Sequence, residues 1–178
     1  MRLGATEAHR RHSQLLMTRS LDEANDLSAL DAKVLREIHT DGWQITGVLA
    51  REQEQGPDFA YSIGFFHTLQ HPEVILFGLP VETCMKAVNV IGLDIQNGVK
   101  FQPDRVYEGI LKLPHLCCFK QVDQKYYREH VGYALWFYES DPFPMLQCFW
   151  SDQLGCFPWD PNCSDYCREA QPVHLALA

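Results

Sequence analysis

Apolar residues in the first half of the chain form short runs of strand length, and Gly and Pro residues separate these runs. The runs cover residues 43–50, 58–66 and 73–79, and their composition and punctuation are typical of β-strands. The connectors are too short for a crossover, so the pattern predicts three neighbouring antiparallel strands. Before them, apolar residues at three- and four-residue spacing over 27–38 predict an amphipathic helix that ends at Gly42.

The second half of the chain alternates between helical and extended patterns. Apolar spacing predicts helices over 82–93 and 123–138, and strands over 106–113, 116–122 and 143–150. An N-terminal helix followed by the order β-β-β-α-β-β-α-β predicts an α+β domain with two interrupting helices. Its six antiparallel strands are expected to form a curled sheet or a split β-barrel, since closure removes exposed edges.

These elements place a single α+β domain at residues 26–160. Residues 1–25 are polar and lack apolar periodicity, so they are expected to form a flexible or weakly helical extension. Residues 161–178 contain two prolines and few apolar side chains, which predicts an irregular tail. A chain of this length is expected to form one domain with tails, or at most a domain with a small appendage.

Composition narrows the class of protein. The 178 residues carry a net charge of −8, which argues against a nucleic-acid-binding protein, since such proteins present a basic face. No apolar run approaches the ~20 residues of a membrane helix, and the first residues lack the apolar core of a secretory signal. We therefore expect a cytosolic protein that binds neither nucleic acid nor membrane, and whose partner is a small molecule or another protein.

The seven cysteines do not follow a zinc-binding pattern. Four of them lie late in the chain, at Cys148, Cys156, Cys163 and Cys167, with gaps of seven, six and three residues. Zinc sites usually contain closely spaced Cys or His pairs. We therefore expect no zinc here, and we expect thiols that behave as small buried apolar groups in a reducing compartment.

Polar residues within and between two of the predicted strands form the candidate catalytic group. They are Tyr61, His71 and Glu73, with Ser62 beside them as a candidate ligand contact. A His–Glu pair can act as an oriented general base, and a Tyr can donate a proton. The alternative is structural: His71 caps a turn, Glu73 faces solvent, and Tyr61 forms a hydrogen bond within the core.

A second group combines aromatic rings with a few polar side chains. Its members are Trp136, Tyr138, Gln147, Trp150, Asp152 and Trp159. Such a mixture can line a ligand pocket. It is equally typical of a packed core in which each indole N–H has one acceptor, and Asp152 is also a typical turn residue.

Several short motifs form a recognisable set. In the first half they are Gly42-Trp43, Phe59-Ala60-Tyr61-Ser62-Ile63-Gly64, His71-Pro72-Glu73 and Gly78-Leu79. In the second half they are Gly132-Tyr133-Ala134, Trp136, Tyr138, Phe143-Pro144, Leu146-Gln147, Trp150, Asp152, Gly155, Phe157-Pro158-Trp159 and Gln171-Pro172. Over roughly residues 31–175 this set resembles a bacterial family of uncharacterised proteins, domain of unknown function 4262. The family has no agreed activity, so the resemblance implies relatedness and no specific function.

Two positions differ from the pattern of that family, which usually has His where this chain has Asp41 and Thr where it has Ser62. A weaker resemblance concerns the fold. Residues 62–79 look like the second and third strands of a flavin-reductase-like split barrel, and residues 143–154 look like its closing strand. This resemblance implies that a flavin is a candidate cofactor, although fold does not determine function.

Three functional hypotheses follow. The first is a split-barrel-like domain that binds a small molecule such as a flavin. The second is an acidic interaction protein of the immunity or adaptor type, and the third is a hydrolase that uses His71 and Glu73. We also expect Tyr61, His71 and Glu73 to share one cleft with the segment from Trp150 to Trp159, because polar groups at strand ends need water, a partner group or a ligand.

Overall fold

A computed structural model describes residues 28–50, 56–139 and 142–174. The predicted extension at residues 1–25 lies outside these ranges. The helices are α1 (Ala29–Asp41), α2 (Val81–Gln96), α3 (Tyr127–His130), α4 (Gly132–Phe137) and α5 (Asp165–Glu169), with a π-helix at Phe65–Leu69 and a 3-10 helix at Gln124–Tyr126. The strands are β1 (Gln44–Val48), β2 (Phe59–Ile63), β3 (Glu73–Phe77), β4 (Val106–Tyr107), β5 (Cys117–Gln121) and β6 (Met145–Trp150).

Helix α1 is capped at both ends, and it ends at Gly42 as the sequence predicts. Ser28 caps it, since its hydroxyl accepts a hydrogen bond from the Asp31 backbone N–H at 3.1 Å while the Asp31 carboxylate accepts one from the Ser28 backbone N–H at 3.2 Å. This reciprocal arrangement is a capping box. At the other end, Gly42 has a φ of 92°, the left-handed conformation that glycine adopts most readily.

The six strands form one sheet in the order β1-β2-β3-β6-β5-β4. Strands β1, β2 and β3 form the predicted antiparallel meander, and the α+β class is confirmed. The sheet has two edge strands, β1 and β4, so it does not close. The central pair, β3 and β6, is parallel and departs from the predicted antiparallel arrangement. The long connection between these two strands allows this pairing, because it can return the chain to the end of the sheet where β3 starts.

Each face of the sheet carries helices. Helix α2 packs against one face, where its residues Val88 and Ile91 join a core with Ala60 and Leu76. It approaches β1 so closely that a Cβ on Gly47 would lie 2.7 Å from the Met85 Sδ atom. Helices α1, α3 and α4 contribute to a second core on the other face. The helix predicted over residues 82–93 therefore packs across the face of the meander and not across an end of the sheet.

Two predicted elements are shorter than the sequence pattern indicated. The strand predicted over 106–113 contains only the two residues of β4, because Gly109 has a φ of 86° and turns the chain out of the extended conformation. The helix predicted over 123–138 is divided at Val131, whose φ of −122° and ψ of 48° are not helical. Its start is nevertheless as expected, since Asp123 accepts a hydrogen bond from the Lys125 backbone N–H at 3.0 Å.

The predicted irregular tail contains helix α5 and a segment fixed to the sheet. The Gln171 side chain, 1 % exposed, accepts a hydrogen bond from the Trp150 backbone N–H at 2.8 Å and donates one to the Trp150 carbonyl at 2.9 Å. The side chain of one glutamine thus satisfies both backbone groups at the end of β6. These polar bonds attach the tail together with the buried side chains of Cys163 and Cys167. Within the described ranges, no helix has the length and apolarity required to cross a bilayer.

Candidate functional site

Glu73, the first residue of β3, is completely buried and accepts four hydrogen bonds. Its Oε1 atom accepts the backbone N–H groups of Gly64 at 2.8 Å and Phe66 at 3.1 Å, and also the Tyr138 hydroxyl. Its Oε2 atom accepts the Ser62 hydroxyl. Burial raises the pKa of the Glu73 carboxyl. The expectation that Glu73 faces solvent is wrong, and we call this group of five residues the Glu73 cluster.

The Glu73 cluster joins segments that are distant in the sequence. Ser62 lies in β2 one residue beyond Tyr61, the last residue that pairs with β3, and its Oγ atom also accepts the Val74 backbone N–H at 2.9 Å. Tyr138 follows α4, and its hydroxyl accepts the His67 backbone N–H from the π-helix at 3.3 Å. The side chains of Ser62, Glu73 and Tyr138 are all fully buried. Each polar group is therefore satisfied within the protein, and the cluster links β2, the π-helix, β3 and the end of α4.

His71 lies two residues before Glu73 and makes different contacts. Its Nδ1 atom lies 2.8 Å from the Pro72 carbonyl, and its Nε2 atom is buried without a hydrogen-bond partner. Burial lowers the pKa of His71, so the ring is neutral at pH 7 and the Nδ1–H donates to Pro72. The ring packs edge-on against Phe101, with centroids 6.0 Å apart. The contacts of His71 and Glu73 therefore do not form the predicted His–Glu pair.

Tyr61 is part of the core. It is 2 % exposed, and burial raises its pKa to about 12 against the lowering effect of a hydrogen bond with the Thr46 side chain. Tyr61 pairs with Ile75 across β2 and β3. This placement corresponds to the structural alternative, a Tyr with a hydrogen bond in the core.

The predicted ligand-binding residues are dispersed. The Trp150 Nε1–H donates to the Phe77 carbonyl at 2.9 Å, and the Gln147 Nε2–H donates to the Pro172 carbonyl at 2.6 Å. Trp136 lies in α4 with its ring 6.1 Å from that of Tyr133. Trp150 and Gln147 are thus held by backbone carbonyls, as expected of core residues.

Asp152 and Trp159 lie beyond the end of β6. Asp152 accepts hydrogen bonds from the backbone N–H groups of Leu154 at 2.9 Å, Cys156 at 3.0 Å and Ser164 at 2.9 Å. It is therefore the turn-forming aspartate that its sequence position suggested. Trp159 is 42 % exposed, stacks on Phe157 with centroids 5.1 Å apart, and lies under the Lys120 ammonium at 4.5 Å.

The predicted cleft shared by Glu73 and the Trp150–Trp159 segment does not form. Because β3 and β6 are parallel, Glu73 pairs with Met145 at one end of the sheet. Trp150 lies at the other end, where it bonds to Phe77. Four residues of strand separate Glu73 from Phe77, which corresponds to about 13 Å. The prediction assumed that the strand ends would coincide, and the parallel register prevents this.

A cleft with a volume of about 540 Å³ lies at the Phe77 end of the meander. The strand register places Val48, Phe59 and Phe77 side by side there. His130, the last residue of α3, and His174 also line it. We call this feature the histidine cleft.

The two histidines meet within this cleft. Their Nε2 atoms lie 2.9 Å apart and their ring centroids 4.6 Å apart. Both rings contact the edge of Phe77, at centroid distances of 5.2 Å for His130 and 5.6 Å for His174. Burial lowers the pKa of each histidine, so both imidazoles are neutral at pH 7. The sequence contains no signal for this pair, since 44 residues separate its members.

Hydrogen bonds on both sides fix the segment that carries His174. The Asp123 backbone N–H donates to the His174 carbonyl at 2.9 Å, and Pro172 accepts the Gln147 amide. The ring of Tyr126 packs on that of His174 with centroids 4.3 Å apart. This wall of the cleft is therefore held in place by the sheet and by the 3-10 helix.

The cysteines and the acidic residues do not complete a metal centre. All seven cysteines are free thiols, and burial raises the pKa of Cys148 well above that of an ordinary thiol. In the part of the chain that the structure describes, no group of three His, Cys, Asp or Glu side chains is arranged to hold a metal ion.

Comparison with known proteins gives one match. Neither the curated proteins nor the solved structures contain a match to this chain. The sequence profile of one family matches residues 37–164, a range that includes the Glu73 cluster and His130 but not His174. This match covers more than half of the chain. The chain therefore belongs to the family described as domain of unknown function (DUF4262).

Proposed function

We propose that this protein binds a small organic molecule with a planar aromatic ring, and that the molecule lies in the histidine cleft. The observation that carries the proposal is an open cleft of about 540 Å³ with two phenylalanine rings and two imidazoles in its lining. Pockets for small ligands typically measure roughly 300–1,000 Å³ and combine apolar walls with a few polar groups. The cleft has the size and the composition of such a pocket.

The lining supports recognition of a ring. Phe59 and Phe77 pack against each other with centroids 5.0 Å apart, and His130 lies edge-on to both. A planar ligand gains from offset or edge-on contacts with such rings. The neutral imidazoles of His130 and His174 supply hydrogen-bonding groups that can orient the ligand.

A flavin is one specific ligand of the kind proposed. None of the described lining residues is Lys or Arg, and Glu129 adds a carboxylate. The phosphate of FMN therefore has no cationic partner among these residues. If a flavin binds, we expect the isoalloxazine ring to provide the affinity and riboflavin to bind at least as tightly as FMN.

Ligand-observed NMR with a panel of aromatic fragments, including riboflavin and FMN, tests the proposal in the presence of EDTA. The variant Ala50→Trp places a large ring at the exposed rim of the cleft, and Leu154→Trp adds the same ring at a position that is 83 % exposed outside the cleft lining. We expect fragments that bind the wild type and Leu154→Trp but not Ala50→Trp. If every fragment binds Ala50→Trp and Leu154→Trp equally, or none binds either, the proposal is refuted.

The second candidate function is an acidic interaction protein of the immunity or adaptor type, which the net charge of −8 supports. Binding to a basic partner would weaken strongly as salt increases, and isothermal titration at two salt concentrations would show this. The hydrolase hypothesis gains no support from the contacts of His71 and Glu73. A cytosolic location is supported by the seven free thiols.

A further inference from the structure

We propose that His130 and His174 together bind one divalent transition-metal ion, such as Ni²⁺, Co²⁺ or Zn²⁺, through their Nε2 atoms. The ion would lie within the histidine cleft, beside the Phe77 ring. Histidine is the commonest protein ligand for these ions.

The geometry of the two rings supports a shared ion. Two imidazole nitrogens that each lie about 2.0–2.1 Å from one ion are about 2.9 Å apart when the angle at the ion is close to 90°. The Nε2 atoms of His130 and His174 are 2.9 Å apart. Two imidazoles joined head-on by an N–H···N hydrogen bond would have their centroids about 5 Å apart, whereas these centroids are 4.6 Å apart with the ring planes at 40°. The rings are therefore not aligned head-on, and the distance between their Nε2 atoms fits a shared ion.

The position of the pair in the cleft suits a metal ligand. A metal ion binds through the lone pair of an imidazole nitrogen, so the proton shared between the two Nε2 atoms would move to an Nδ1 atom of its ring when the ion binds. Both residues are only partly buried and line the cleft. The pair therefore lies at a part of the surface that opens to solvent.

The surroundings of the pair can complete the coordination. The Glu129 Oε1 atom lies 3.7 Å from the His130 Nε2 atom, and its side chain is 67 % exposed. It is too distant to share an ion in its present position, and a rotation of this exposed side chain would bring it closer. Water in the open cleft supplies the remaining ligands. The protein thus contributes two preorganised nitrogens, and an exposed carboxylate stands beside them.

Preorganisation distinguishes this pair from surface histidines. The Asp123 backbone N–H holds the carbonyl of His174, and the Tyr126 and Phe77 rings contact its imidazole. His130 is held at the end of α3 against Phe59 and Phe77. Little side-chain entropy remains to be lost when an ion binds, and this favours binding.

The metal proposal does not depend on the organic ligand. The probe is Ni²⁺ alone, added to the full chain after removal of metal with EDTA and dialysis, and isothermal titration calorimetry measures the binding. We expect one ion per chain, and we expect His130→Gln and His174→Gln each to weaken binding by roughly tenfold or more. His39→Gln, an exposed position on α1, should leave binding unchanged.

The sequence also contains His9 and His12, so the double variant His9→Gln/His12→Gln serves as a second control. We expect this variant to bind like the wild type. Loss of binding in this double variant with retention in His130→Gln would overturn the proposal, as would a wild type that binds no Ni²⁺. Circular dichroism of each variant confirms that the fold is intact.

A spectroscopic measurement on the wild type does not require any variant to fold. Electron paramagnetic resonance of the one-to-one Cu²⁺ complex should show coupling to two imidazole nitrogens. Coupling to one or to none would refute the shared site. An organic fragment that binds in EDTA while these metal experiments fail would support the proposed function and exclude the metal inference.

Discussion

The Glu73 cluster and the histidine cleft lie on the same face of the sheet, at opposite ends of β3. They differ in how many hydrogen-bond partners their polar side chains have within the protein. The Glu73 carboxylate is fully buried and accepts two backbone N–H groups and two hydroxyls. In the histidine cleft, the Nε2 atoms of His130 and His174 lie 2.9 Å apart, and both residues line the open volume of the cleft. A buried polar group with all its partners supports the fold, whereas partly exposed groups with few partners can serve a ligand. By residue type alone, the Glu73 region was the better candidate for a ligand site. Burial and the number of hydrogen-bond partners favour the histidine cleft instead.

The largest effect is expected from the replacement Glu73→Ala. It removes the acceptor of two backbone N–H groups and two hydroxyls that water does not reach. Each buried donor left without a partner costs about 1–3 kcal/mol, and the two backbone N–H groups cannot rotate to another acceptor as the hydroxyls can, so we expect the free energy of unfolding to fall by about 2–6 kcal/mol. Urea denaturation followed by circular dichroism measures this change. A decrease of less than about 1 kcal/mol in the free energy of unfolding would show that the Glu73 cluster does not stabilise the fold. The contrast drawn between this cluster and the histidine cleft would then be wrong.

The replacement Gln171→Ala tests how the segment that carries His174 is attached to the sheet. The Gln171 amide holds the N–H and carbonyl of Trp150 and also donates to the Cys167 carbonyl at 3.1 Å. We expect a loss of about 2–3 kcal/mol in unfolding free energy. Because Gln171 fixes the segment that ends at His174, the variant should also bind Ni²⁺ more weakly than the wild type at a temperature where both are folded. Unchanged Ni²⁺ binding would show that the cleft does not require this segment to be fixed.

The pH dependence of stability sharpens the interpretation of Glu73. Burial raises its pKa in the folded state above the ordinary value of 4.5 for a glutamate carboxyl. The stabilising contribution of the protonated carboxyl is therefore complete below pH 4.5 and is lost as the pH rises through the folded-state pKa. Relative to Glu73→Gln, which does not titrate at this position, the wild type should lose up to about 1.4 kcal/mol per pH unit in this window.

Urea denaturation of the wild type and of Glu73→Gln at several pH values between 4 and 8 measures this slope. If the wild type gains stability relative to the variant as the pH rises, the four hydrogen bonds outweigh burial and the pKa of Glu73 is lowered instead.

The smallest effect on stability is expected from His130→Gln. The His130 ring is held by edge contacts with Phe59 and Phe77, and glutamine keeps a polar group of similar reach at a partly exposed position. We expect the free energy of unfolding to change by less than about 1 kcal/mol. Thermal denaturation checks this, with His174→Gln as the matched variant. A loss as large as that of Glu73→Ala would place the histidines among the structural residues.

Features that depend on neighbours in the sequence were predictable from the sequence alone. The ends of α1 follow from Ser28 and Gly42, because a cap acts within one helical turn. The antiparallel meander follows from short connectors that do not permit a crossover. The aromatic and β-branched runs indicated the six strands of the sheet, although Gly109 shortened one of them.

Features that depend on distant residues were decided by the tertiary structure. The parallel register of β3 and β6 separates Glu73 from Trp150, and the connection between these strands is long enough to permit either direction. The tail joins the domain through the polar side chain of Gln171, which hydrophobic patterning does not detect. His130 and His174 meet only because the sheet and the 3-10 helix hold the ends of two separate segments together. Local sequence determines how a segment folds, whereas burial and contacts between distant segments determine which polar groups remain available for a ligand.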